Sequence, residues 1–93
     1  MLYGQLQSTP VVELNRAAAV AMANGPRAGL DLMDGIQGLD EYYLFHAARA
    51  DLFCRLQEVE NAATAYTRAL ALVTNPVEAS YLRNRLEALR KDL

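Results

Sequence analysis

The chain carries few side chains able to do chemistry, and their spacing keeps them apart. His46 is the one histidine and Cys54 the one cysteine. Eight helical residues separate them, roughly 12 Å along a helix axis, too far to share a metal ion. His46 falls among apolar neighbours, which points to a hydrogen-bonded structural histidine. Cys54 has only Arg55 close by to lower its pKa, and reads as a small, half-buried apolar residue. The serines are Ser8 and Ser80, both near helix ends, and neither builds a Ser-His-Asp set. Asp31 and Asp34 share a helical face but lack a base or ligand cluster beside them. The glycines at 25, 29, 35 and 38 follow no strand and precede no lysine, so they form no phosphate loop. No metal, cofactor or catalytic centre is expected.

The polar residues that stand out are arginines. Arg16 and Arg49 lie 33 residues apart and fall at a slot that is ordinarily apolar in helical repeats. An arginine there needs acceptors. One reading joins Asn15, Arg16, His46, Arg49 and Asp51 in a polar network between two long helices, setting their register or reaching a partner. The other turns both arginines outward and leaves Asp51 and Arg55 as an ordinary i,i+4 pair. Residues 83–91 hold four basic groups against Glu87. Basic groups also suit a helix C-terminus, and no helix-turn-helix pattern or interleaved aromatics accompany them, so direct nucleic-acid binding is not expected.

The elements that position these residues follow from composition and punctuation. Ninety-three residues, 53% apolar and 22% charged with a formal charge of −2, make one small ordered domain with a thin core. A single cysteine excludes an internal disulfide. No apolar run is long enough to span a membrane, and the N-terminus lacks the pattern of a signal peptide. The expectation is a soluble cytoplasmic chain. Alanine and leucine dominate, and no stretch alternates long enough for a strand. Pro10, Pro26 and Pro76 stand where helices begin, after Thr9, Gly25 and Asn75. Asn75 and Glu78 resemble a capping box. Asp40 is placed to cap a helix after the break at Gly35 and Gly38. The predicted helices are near 1–7, 10–24, 26–35, 40–56, 59–73 and 76–92, with short connections that make neighbours antiparallel. Leu82, Leu86, Leu89 and Leu93 give the last helix one dry face, as in an end helix. The helix near 40–56 has two apolar stripes, Tyr43–Ala47–Ala50–Phe53 and Leu44–Ala48–Leu52–Leu56, and belongs in the middle of a stack.

A shift of 33 residues superposes the chain on itself. Val11 falls on Leu44, Val12 on Phe45, Arg16 on Arg49, Ala17 on Ala50, Val20 on Phe53, Gly29 on Ala62 and Met33 on Tyr66. Small residues meet small ones where two helices would touch. The period is close to the 34-residue tetratricopeptide repeat, and residues 43–76 resemble one such unit through Ala50, Phe53, Ala62, Tyr66 and Ala69. The fold expected is all-α, with tetratricopeptide-like antiparallel hairpins and five to six helices in a single domain over 1–93. Stacked hairpins would set Val11, Leu14, Ala18 and Met22 beside Leu44, Ala47, Asp51 and Arg55 in a groove able to accept a helix or extended peptide.

Two stretches, STPVVELNRAAAVAMANGPRAGLDLMD (8–34) and YYLFHAARADLFCRLQEVENAATAYTRALALVTNPVEASYLRNRL (42–86), resemble the C-terminal extension of certain bacterial extracytoplasmic-function RNA polymerase sigma factors. Asn15-Arg16-Ala17-Ala18 and His46 to Leu52 carry most of the likeness. Gln57-Glu58 departs from it, standing where that family has a glycine turn. The resemblance implies a C-terminal fragment of a longer sigma factor. Its role would be regulatory and non-catalytic, packing on the sigma regions of the same chain or touching RNA polymerase. Promoter DNA would be met only through N-terminal regions outside this sequence. Self-association through an uncapped N-terminal face and a free-standing peptide-binding adaptor are the other expectations.

Overall fold

A computed structural model describes residues 9–91, and the predicted helix near 1–7 lies outside them. Five helices follow in order: α1 (Pro10–Asn24), α2 (Pro26–Asp34), α3 (Tyr43–Arg55), α4 (Val59–Leu72) and α5 (Pro76–Lys91). No strand occurs among the described residues. The local start signals act as their chemistry predicts. The Thr9 hydroxyl accepts from the Val12 amide at 3.2 Å. Asn75 Oδ1 accepts from the amides of Val77 and Glu78 at 2.8 and 3.2 Å. Each relieves helix N–H groups that have no intrahelical partner. Between α1 and α2 the chain turns at Gly25 with φ of 100°, which a side chain would strain.

Helix starts at 10, 43 and 76, and at 26 and 59, give a period of 33 in both series. α1 pairs with α2 and α3 with α4 as antiparallel hairpins, α3 packs across α2, and α5 lies on α4. This is the tetratricopeptide-like stack expected from the spacing. Burial repeats with the period. Ala17 and Ala50 are buried, as are Gly29 and Ala62, and Met33 and Tyr66. One core, around Leu14, Leu30, Met33, Leu39, Phe45 and Leu52, joins the two hairpins. A second, around Ala50, Ala65, Tyr66, Ala69, Leu82 and Leu86, joins the second hairpin to α5. Phe53 packs against both, which is how α3 comes to lie in the middle.

Of a third repeat, the described residues hold one helix, α5. The slots occupied by buried Ala17 and Ala50 fall on exposed Arg83 in α5, and those of Ala21 and Cys54 fall on exposed Glu87. A second helix cannot press onto α5 as α2 presses onto α1, because a charged side chain stands at each close contact. α5 therefore covers the end of the core with a wet outer face.

Three expectations need correction. α3 begins at Tyr43, not near 40, and Asp40 does not cap it. Tyr42 precedes the helix with no side-chain cap, while buried Leu39 anchors the connection in the core. Leu14 is core, not groove, since the α1 face bearing it turns toward α2 and α3. Leu44, assigned to an inner stripe, is exposed, and Phe45 takes the buried place. The turn at Gln57 keeps the geometry of a glycine without being one, with φ of 61°. A left-handed residue with a Cβ costs roughly 1–2 kcal/mol relative to glycine. Gln57→Gly is expected to raise stability by about 1 kcal/mol in urea unfolding, after allowance for the freer unfolded chain.

Candidate functional site

The five residues grouped as one polar network separate into distinct places. Arg49 Nη1 donates to Asp34 Oδ1 of α2 at 2.5 Å. Its guanidinium lies 5.5 Å from the Phe45 ring centroid and 5.3 Å from that of Phe53. The half-buried arginine thus clamps the second hairpin to the first. His46 Nε2 meets the Asp40 carbonyl oxygen at 2.8 Å, and Arg68 donates to the same oxygen at 3.2 Å. His46 is a structural histidine tying the 35–42 connection to α3. Asn15 and Arg16 are exposed on α1, and no hydrogen bond or ion pair joins them to the other three. The reason is translational. Residues one period apart sit at the same place on successive layers and face the same way, so each looks toward the layer before its own.

The two kinds of contact that Arg49 makes differ in weight. Asp34 is well exposed, so solvent screens the ion pair to a few tenths of a kcal/mol, whereas each cation–aromatic contact contributes about 0.5–1 kcal/mol. Arg49→Ala is expected to cost about 2 kcal/mol and Asp34→Asn about 0.5 kcal/mol, read by chemical denaturation.

Asp51 belongs to another joint. The Tyr66 hydroxyl donates to Asp51 Oδ1 at 2.8 Å, Arg85 Nε donates to the Tyr66 hydroxyl oxygen at 3.2 Å, and Arg85 Nη2 lies 3.9 Å from Asp51. This chain ties α3, α4 and α5 together. Burial holds the Tyr66 phenol well above its ordinary value, with Asp51 adding to the effect and the Arg85 hydrogen bond opposing it. No Asp51–Arg55 ion pair forms. Arg55 Nη1 instead reaches Met22 Sδ at 3.7 Å. The network among Tyr66, Asp51 and Arg85 escapes sequence reading because its members lie on three helices at unrelated spacings.

Two clefts bear on the sequence-predicted site residues. The first is the expected groove, present in part. Ala18, Met22, Ala48, Asp51 and Arg55 line a shallow cleft of about 150 Å³ between α1 and α3. Above it Val11, Leu44 and Val77, one period apart on α1, α3 and α5, are 40%, 42% and 75% exposed. Ala47 turns inward onto the second core. The second is a cleft of about 510 Å³ between α2 and the second hairpin, walled by Met33, Asp34, His46, Arg49, Phe53 and Arg68. Its cations are engaged by the chain itself. Among the described residues no group of three or more His, Cys, Asp or Glu side chains is placed to hold a metal ion. No helix there is long and apolar enough to cross a membrane.

The geometry defines a short stack of helical hairpins with shallow clefts on its surface. No known protein family matches the chain, and no solved structure matches it. It is similar to an uncharacterized protein of Rhizobium meliloti (strain 1021), 42% identical over 86 residues that cover 91% of this chain. The chain spans about one fifth (20%) of the length of that relative.

Proposed function

We propose that this chain is a non-catalytic regulatory domain of a bacterial extracytoplasmic-function RNA polymerase sigma factor, following the promoter-reading sigma regions in one cytoplasmic polypeptide. It modulates transcription initiation by packing on those regions or on RNA polymerase, and meets promoter DNA only through them. One observation carries the reading. The segments that bear the resemblance, Asn15-Arg16-Ala17-Ala18 and His46 to Leu52, supply the joints of the stack: the Ala17 and Ala50 contacts, the Arg49 clamp and the Asp51 tie. A rhizobial relative about five times as long supports a domain inside a longer protein. The work assigned to the domain needs surface and register, not chemistry, and Arg49, His46 and the Asp51–Tyr66–Arg85 tie serve register.

Binding to core RNA polymerase tests the reading. A full-length protein that carries two sigma regions ahead of this domain and co-elutes with core enzyme supports it. An upstream sequence without sigma regions, with no core binding, overturns it in favour of a free-standing adaptor. That second reading draws on the exposed Val11–Leu44–Val77 row, which suits an extended or helical peptide.

A further inference from the structure

Two methionines lie among the described residues, and they differ in access. Met33 is 1% exposed in the first core, whereas Met22 is 75% exposed. Met22 stands in the last turn of α1, and Arg55 is the last residue of α3. Arg55 Nη1 donates to Met22 Sδ at 3.7 Å, beside the cleft that Ala18 and Ala48 line. Arg55 makes no ion pair among the described residues. A thioether sulfur is a weak acceptor, so a full positive charge rests there on a poor partner. The contact has a structural position. α1 meets α3 far less closely than it meets α2, and among the described residues the Arg55–Met22 bond is the hydrogen bond that joins those two helices.

We propose that Met22 is a site of reversible oxidation, and that Arg55 holds the resulting sulfoxide oxygen and so tightens the seam between the two hairpins. The oxidant is hydrogen peroxide. A sulfur lone pair attacks one peroxide oxygen, the S–O bond forms and the O–O bond breaks. The departing hydroxide takes the proton from the transferred oxygen and leaves as water. Sulfur gives up two electrons and peroxide accepts them. A methionine sulfoxide reductase reverses the change at the expense of a thiol pair, which becomes a disulfide. The sulfoxide oxygen is a strong acceptor carried on the sulfur itself. A charge-assisted N–H···O bond of about 2.8 Å, meeting the S–O bond at an ordinary bent angle, spans a nitrogen-to-sulfur separation close to that of the present contact. Neither helix has to move. Methionine oxidation ordinarily disrupts a protein by placing a polar group in its core. Met22 faces solvent, so that cost is absent and the sign of the effect reverses.

Limited peroxide treatment of this chain tests it, followed by peptide mass spectrometry and thermal melting. Dithiothreitol is added before melting to reverse any Cys54 sulfenate or disulfide. Met22 is expected to gain one oxygen about tenfold faster than Met33, as exposure dictates. Oxidation of the parent should raise the melting temperature by about 4 °C, the scale on which a small domain reports one added charge-assisted hydrogen bond. Methionine sulfoxide reductases with a thiol reductant should return the parent to its starting value. Arg55→Ala should oxidise at Met22 and show no rise, and Met22→Leu should show none under the same treatment. A parent whose melting temperature stays level or falls once Met22 is oxidised overturns the proposal. So does an equal rise in Arg55→Ala, which would place the effect elsewhere, or oxidation of Met33 at the rate of Met22.

Discussion

Gly29→Ala lowers the melting temperature by on the order of 10 °C, against the trend for glycine in a helix. At an open helical position the same change stabilises by about 1 kcal/mol, because alanine is the better helix former. At Gly29 an added Cβ falls 2.5 Å from the Ala21 Cβ and 3.0 Å from the Ala17 carbonyl oxygen. Neither neighbour is the end of a flexible chain, so α1 and α2 must separate. Overpacking of this kind costs about 1–3 kcal/mol or more, and a domain of this size shifts by about 4–8 °C per kcal/mol. Ala21→Gly in the same chain makes room and should recover part of the loss. A variant that melts higher than the parent would mean that the two helices do not touch there.

Tyr66 carries the second large effect. It is the largest of the fully buried side chains, and Tyr66→Ala is expected to cost about 3–5 kcal/mol, a large share of the stability of a small domain. Tyr66→Phe separates the ring from its hydroxyl. It should cost about 1 kcal/mol at neutral pH, the net value of a hydrogen bond. The difference between the two variants also has a pH signature. The folded-state phenol titrates above its unfolded value of about 10, so between the two values the native state holds a proton that the unfolded chain has released. Stability from this group is complete below about pH 10 and falls as pH rises above it. Urea titrations from pH 8 to 11 should show that decline in the parent and a shallower one in Tyr66→Phe. Equal slopes would place the Tyr66 hydroxyl in water.

Much of this architecture is legible in the residues because its rules are local or periodic. Thr9, Gly25 and Asn75 mark helix starts by their own chemistry, and a fixed period carries burial from Ala17 to Ala50 and from Gly29 to Ala62. What periodicity cannot say is which direction a repeated residue faces relative to its copy. Arg16 and Arg49 look like partners when superposed, yet superposition is the condition under which they never meet. Asp40 has the right type for a cap, but the pull of Leu39 into the core delays α3 until Tyr43. The Asp51–Tyr66–Arg85 tie needs three helices at once, and no spacing announces it. The candidate site was visible as arginines in an odd slot. Its meaning required seeing that Asp34, from the layer before, answers Arg49 and that no described carboxylate answers Arg16.

Run-off transcription with reconstituted RNA polymerase decides whether the proposed regulatory role holds. The full-length protein that contains this domain is compared with one lacking residues 9–91. The proposed docking on sigma regions predicts a change of several-fold in transcript yield on deletion, with promoter choice unaltered. Identical transcripts in identical yield from both proteins would contradict it.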